Sequence, residues 1–214
     1  MPTRQRANPS RTPESQPVAL ALIEFASIAI GMQAGDAMAK KAPIDRLLAG
    51  TVHPGKYLVL IAGAVADVEE SLGAGRAAGG SDAIDFVLLP QVHPAVVDAI
   101  AAGAARDESG RSMRGPSLGI IETNTVAAAI HAADAGVKGA QVDLLEVRLA
   151  DGLHGKGLVL YTGQVHDVEA AVDIGAKAIE AGLLVQRIVI PQLHCEMGAN
   201  IVARTRFAAN VQSE

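Results

Sequence analysis

The side chains best suited to chemistry in this 214-residue sequence come in duplicate. The stretch TVHPGKY at residues 51–57 sets His53 and Lys56 about a Pro-Gly turn, and GLHGKG at residues 152–157 sets His154 and Lys156 about a second. An imidazole can ligate a metal, change charge near pH ~6.5 or donate a hydrogen bond, and a repeated lysine concentrates anions. The plainer readings of the same residues are an exposed turn histidine without a ligand and a solvated strand-end lysine screened by salt. Gly accepts positive φ and Pro fixes φ near its turn value, so each copy is expected to be a tight link between two strands.

Other candidates are weaker. His194, Cys195 and Glu196 supply a thiol beside an imidazole, the parts of a nucleophilic pair. Read at a strand end, adjacent residues point to opposite faces. The counterpart of Cys195 in the first copy is Pro94, so His93 and His194 are expected to hold a strand end instead. Gly73, Gly75, Gly79 and Gly80 fall within or after a helix rather than between a strand and a helix start, which is wrong for a phosphate loop. His131 and His166 lack partners at ligand spacing and are expected on exposed helix faces. The sequence thus offers no catalytic residue, no metal ligand set and no cofactor site.

Composition narrows the class. Half the residues are apolar, yet no run approaches the roughly twenty that a membrane span needs. The single cysteine excludes an intrachain disulfide and a thiolate zinc cage built from one chain, and a reducing cytosol fits it. A net charge of −5 and 2% aromatic residues argue against nucleic acid as a partner. Residues 1–17 are polar, carry Arg4, Arg6 and Arg11, lack the apolar stretch of a secretory signal and are expected to be a disordered tail.

The elements that must position these residues are themselves duplicated. Glu24, Asp36 and Lys40 recur as Glu122, Asp134 and Lys138 at an offset of 98. Beyond the turn the offset is 100, with Lys56 matching Lys156 and Gly63, Val65, Asp67, Val68 and Glu69 matching Gly163, Val165, Asp167, Val168 and Glu169. At PQVH (residues 90–93) and PQLH (191–194) it is 101. So many identities in register imply a duplicated domain.

Each copy opens on an apolar strand, residues 18–25 and 118–121, and continues into a helix N-capped by Ser27 or Thr125. Val126, Ile130, Ala133 and Val137 share one helical face, as do Ile28, Met32, Gly35 and Ala39, and these faces are expected to pack on a sheet. A strand at 44–51 or 142–149 meets a second at 57–61 or 158–161 through the turn, which predicts a hairpin. Helices from Asp67 and Asp167 and strands at 84–89 and 187–190 complete the copies, with an extra helix at 94–102 and a linker at 106–115. The order βαββαβ, twice, is an α+β ferredoxin-like pattern, an antiparallel sheet with helices on one face. The expected domains are 18–110 and 111–208, with the boundary near Arg111.

In this order the residues resemble the bacterial microcompartment shell proteins, specifically the tandem-domain, trimer-forming members that are not circularly permuted. Asp36 to Lys40 (DAMAK) and its echo Asp134 to Lys138 (DAGVK) are similar to that family's DAMVKAA-like helix, and the Gly-rich turns are similar to its pore loop. The GxVxDVE strings and PQVH and PQLH stand where the family carries a Pro-Arg-Pro-His-like strand ending, with Gln91 and Gln192 replacing an arginine that packs neighbouring tiles.

The resemblance implies a homotrimer whose six domains form a pseudohexameric tile of a shell facet, beside other hexameric and pentameric tiles, in a cytoplasmic microcompartment. It implies a central pore for small metabolites lined by His53, Pro54, Gly55, Lys56, Leu153, His154, Gly155 and Lys156. It makes Lys40, Lys138, Gln91 and Gln192 tile-edge residues, although a cation complementing a helix C-terminus is a sufficient structural reason for the two lysines. Selective diffusion, with no catalysis, is the implied activity. A trimeric ferredoxin-like small-molecule sensor and a small enzyme with a subunit-interface site are the alternatives from other classes.

Overall fold

The computed structural model describes residues 19–105 and 113–203. The expected N-terminal tail, the boundary at Arg111, most of the 106–115 linker and the end of the second domain at 208 lie outside the described residues. The first half runs β1 (Ala19–Phe25), α1 (Ile28–Lys41), β2 (Arg46–Val52), β3 (Lys56–Gly63), α2 (Val65–Gly79), β4 (Ala83–Leu89) and α3 (Pro94–Ala105). The second repeats it as β5 (Ser117–Thr123), α4 (Val126–Gly139), β6 (Asp143–Leu149), β7 (Gly157–Gly163), α5 (Val165–Ala178), β8 (Leu184–Ile190) and α6 (Cys195–Ala203).

Local chemistry explains the boundaries. The hydroxyls of Ser27 and Thr125 accept from the amides of Ile30 and Ala128, both at 3.3 Å, so both first helices start where the cap residues stand. The second helices begin at Val65 and Val165, two residues ahead of Asp67 and Asp167, which occupy the first turn and complement the helix dipole there. Each half folds into a four-stranded antiparallel sheet, ordered β2-β3-β1-β4 and β6-β7-β5-β8. Strand alternation splits β1 between two cores. Ala19, Ala21, Ile23 and Phe25 pack with Ala34, Met38, Val68 and Leu72 of α1 and α2. Leu20 and Leu22 face the other way and join Val96 and Ile100 of α3.

That second face is where the halves meet. Helix α3 packs on β6, and α4 packs on β4 and β1, so the two domains share one continuous core. The helices of each repeat cover one sheet face as expected, and α3 adds a layer on the other.

Two expectations need correction. The face expected to pack in α4 is buried at Val126, Ile130 and Ala133, but in α1 the buried residues are Gly31, Ala34, Gly35 and Met38, while Ile28 and Met32 are 36% and 54% exposed and Ala39 is exposed. The reason is that Val126 and Ile130 are covered at the domain junction, which α1 lacks within one chain. Residues 194–196 do not end a strand; they open helix α6, which the sequence reading missed. Their histidine holds a helix start: the Nδ1 of His194 accepts from the Glu196 amide at 3.4 Å, and that of His93 accepts from the Ala95 amide at 3.2 Å at the start of α3. Cys195 is the exposed first residue of α6.

Candidate functional site

The β2–β3 and β6–β7 turns, a hundred residues apart in sequence, are neighbours in space. In the first, the Gly55 amide donates to the Val52 carbonyl at 2.9 Å, closing a turn of His53, Pro54 and Gly55 with a cis His53–Pro54 peptide and φ of 104° at Gly55. The second is longer and is closed by Leu153 N to Ala150 O at 2.9 Å and Lys156 N to Leu153 O at 3.2 Å. Its path needs left-handed φ at Ala150, Gly152, His154 and Gly155. Glycine takes such angles freely, whereas His154, at φ 54°, costs about 1–2 kcal/mol. A Cβ on Gly155 would stand 3.2 Å from Pro54 Cδ, so the turns come within van der Waals reach at this point. Beside it the rings of His53 and His154 lie 5.5 Å apart between centroids, inclined by 59°.

Lys56 and Lys156 are held by carboxylates. Lys56 Nζ donates to Glu24 Oε2 at 3.3 Å and reaches the Gly155 carbonyl at 3.5 Å, and Lys156 Nζ donates to Glu122 Oε1 at 2.7 Å. Sequence reasoning did not identify these partners. The signal was present, because Glu24 interrupts an apolar strand and both the glutamate and the lysine are repeated identities. Glu24 is fully buried, and its Oε1 accepts from the Ala127 amide in the first turn of α4 at 2.8 Å. A carboxylate from one domain therefore caps a helix of the other.

Burial raises the Glu24 carboxyl above its ordinary value of 4.5, against the lowering by the Ala127 amide and Lys56. A raised folded value means that the folded chain holds the proton more tightly than the unfolded one. The stabilisation is complete below pH 4.5 and is lost as pH rises through the folded value. Glu24→Gln keeps an acceptor for Ala127 and removes the titration. Its urea midpoint is expected to fall less than the wild-type midpoint between acidic and neutral pH, and parallel declines would remove Glu24 from the pH dependence.

The expected edge residues divide. Lys138 bridges the domains: its Nζ donates to the Gln91 carbonyl and pairs with Asp134 at 2.5 Å, while Asp134 Oδ1 accepts from the His93 amide at 2.8 Å. Among the described residues Lys40 pairs along its own helix, with Asp36 at 2.6 Å, and both side chains are exposed. Gln91 and Gln192 are exposed at the ends of their repeats. His131 and His166 are exposed on α4 and α5, and His166 lies 3.3 Å from Asp167. The glycines at 73, 75 and 79 lie inside α2, and Gly80 follows it.

Among the described residues no three His, Cys, Asp or Glu side chains converge in a way that could hold a metal, and no helix is long and apolar enough to cross a membrane.

Comparison with known proteins agrees with this duplicated geometry. The BMC domain matches the chain twice, over residues 19–92 and 117–193. The chain is 38% identical over 185 residues to the bacterial microcompartment shell protein PduT of Citrobacter freundii, covering 86% of this chain and 97% of PduT. It is 40% identical over 82 residues, or 38% of this chain and 83% of the relative, to the shell protein EutM of Salmonella typhimurium. A microcompartment protein of Desulfitobacterium hafniense superposes with a TM-score of 0.72 at 43% identity, covering 85% of this chain and 98% of that one. The fused permuted hexameric shell protein of the RMM microcompartment, with a TM-score of 0.52 at 20% identity over 74% of this chain and 79% of that one, shares the fold. Nothing in these likenesses supports the sensor alternative. With two BMC domains in unpermuted order and a full-length relative among shell proteins, the chain belongs to the BMC-domain family of bacterial microcompartment shell proteins.

Proposed function

We propose that this chain is a non-catalytic tile of a microcompartment shell, three copies closing head to tail into a ring of six domains with the turns around a central opening. Residues 18–110 and 111–208 are its two domains. The opening is lined by His53, Pro54, Gly55, Leu153, His154 and Gly155, with Lys56 and Lys156 behind them, and small metabolites pass through it. Because Glu24 and Glu122 offset the two lysines, selectivity rests on width and on the polar groups of the turns more than on lysine charge. The tile lies in the shell beside hexameric and pentameric tiles.

The observation that carries this reading is a mismatch in burial between equivalent residues. Val126 and Ile130 are both 0% exposed, whereas their counterparts Ile28 and Met32 are 36% and 54% exposed. Val87 and Val96 are 4% and 0% exposed, whereas Ile188 and Met197 are 48% and 55%. Each buried member sits at the domain junction, and each exposed one is the same position in the other repeat. One chain thus carries one complete junction and the two separated halves of another. The exposed α1 of one copy fits β8 of the next as α4 fits β4, and its β2 fits α6 of the next as β6 fits α3. Such head-to-tail contacts generate a ring when the rotation closes.

The same equivalence pairs Lys40 with the Gln192 carbonyl, and Asp36 with the His194 amide, of the neighbouring copy. An exposed ion pair is worth at most about 1 kcal/mol, so these polar contacts orient the ring more than they hold it. Lys40, Lys138, Gln91 and Gln192 thus stand at the junctions between domains of the ring, and the tile-edge role proposed for them further requires that these junctions reach its outer rim.

Sedimentation of the purified 21.9 kDa chain is expected to give about three times that mass, and negative-stain microscopy to give extended sheets. Lys40→Ala is expected to keep the mass and lose the sheets. A monodisperse monomer that joins no sheet at any concentration would overturn the tile.

A further inference from the structure

We propose that His53 and His154 together form a binding site for a divalent transition metal of the zinc, nickel or copper class. The pair belongs to neither domain alone. It is created where the two turns touch, at Pro54 and Gly155, and it exists within a single chain whether or not copies close into a ring.

The spacing suits a shared metal. Two imidazoles bound to one tetrahedral ion through metal–nitrogen bonds of about 2.0–2.1 Å have ring centroids about 5 Å apart. The observed separation is 5.5 Å. The 59° inclination is compatible, since each ring turns about its own metal–nitrogen bond.

Three further features favour an ion here. Both histidines are exposed, so a hydrated metal can reach them. The lysines of the same two turns, Lys56 and Lys156, are each matched by a carboxylate, Glu24 and Glu122, so the site carries no uncompensated positive charge from them. His154 also holds a left-handed backbone position between Gly152 and Gly155, where a third glycine would be conformationally cheaper. The turn keeps an imidazole where its geometry favours none.

The other histidines are committed or isolated. His93 and His194 use Nδ1 to accept helix-start amides, and His166 lies beside Asp167 on α5. Two protein ligands leave the remaining coordination positions to water, which makes an open site, or to the equivalent pair of another copy, which would close it.

Titration of the full-length, tag-free chain with zinc chloride by calorimetry tests the assignment, with sedimentation mass recorded on the same samples. Saturable binding is expected, weakened at least about tenfold by His53→Ala and by His154→Gly because either change leaves a single imidazole. His154→Gly is the informative variant. It relieves the backbone and is expected to raise the melting temperature while it abolishes tight zinc binding, a combination that a purely structural histidine would not give. His166→Ala should bind as the wild type does. No saturable uptake, or uptake indifferent to both pair substitutions, overturns the site. Metal uptake by single chains would uphold the site and remove the ring, and rings that take up no zinc would do the reverse.

Discussion

Met32→Asp is expected to leave a folded chain of 21.9 kDa that no longer assembles, whereas Ile130→Asp, the same change at the equivalent place, is expected to prevent folding. The two side chains lie at matched positions of α1 and α4, and their surroundings alone differ. Ile130 is 0% exposed in the shared core beneath the domain junction. A carboxylate there loses the burial of a large apolar side chain, about 1.5–3 kcal/mol, and adds the cost of an unpaired buried charge, several kcal/mol more. That sum approaches the whole stability of an ordinary domain, about 5–15 kcal/mol.

Met32 is 54% exposed in the single chain, so the aspartate there sits in water and the fold loses little. In the proposed ring the same carboxylate would be buried at the junction with the next copy, once at every contact between chains. Circular dichroism and sedimentation separate the outcomes: native spectrum with monomer mass for Met32→Asp, and loss of the native spectrum for Ile130→Asp. A Met32→Asp protein that still sediments as the wild type would show that the exposed α1 face is not the missing half of the junction.

This asymmetry also marks what could be read from the sequence. The order of strands and helices, the caps Ser27 and Thr125 and the adjacency of the hairpin strands follow from local patterns that a single repeat already contains. The heptad-like spacing of Ile28 and Met32 predicts a face turned to the chain's own sheet, because periodicity reports that a face is apolar and not what covers it. Gly31, Ala34, Gly35 and Met38 do the covering in α1, a set too small in volume to stand out as a stripe. Helix α6 was hidden for a different reason: it is a nine-residue helix that follows the last strand after a short break, and its Met197 is 55% exposed, so no one-sided apolar stripe marks it.

The two turns were legible as turns, and their contact was not, since it depends on how the domains dock. The pairing of Lys56 with Glu24 is a tertiary contact across strands β3 and β1, set by the Glu24 to Leu58 register. Only the parallel recurrence of both residues hinted at it.

The docking of helix on sheet is kept in both repeats although the residues that make it are exchanged. In the first, Gly31 of α1 faces Tyr57 of β3, and a Cβ on Gly31 would lie 2.6 Å from Tyr57 Cβ. In the second, the helix position carries Ala129 and the strand position carries Gly157, whose added Cβ would lie 2.3 Å from Ala129 Cβ, 2.7 Å from Thr123 Oγ1 and 2.9 Å from the Thr125 carbonyl. Each repeat thus has one glycine at the crossing, on the helix in one case and on the strand in the other.

The swap predicts a double-mutant cycle. Gly157→Tyr alone forces a ring into a space closed by Ala129 and by backbone, and overpacking of this kind costs about 3 kcal/mol or more. For a chain of this size that lowers the melting temperature by about 6–12 °C. Ala129→Gly alone is expected to cost about 1 kcal/mol, the helix-interior penalty of glycine. Combined, they rebuild the crossing of the first repeat, and the double variant is expected to regain at least about half of the Gly157→Tyr loss, a coupling well above the ~0.5 kcal/mol seen for independent sites. Strictly additive losses would mean that Thr123 or the Thr125 carbonyl, and not Ala129, sets the limit at this crossing. Shortening the helix residue would then leave the strand position as closed as before, and relief would have to come from Thr123 on β5.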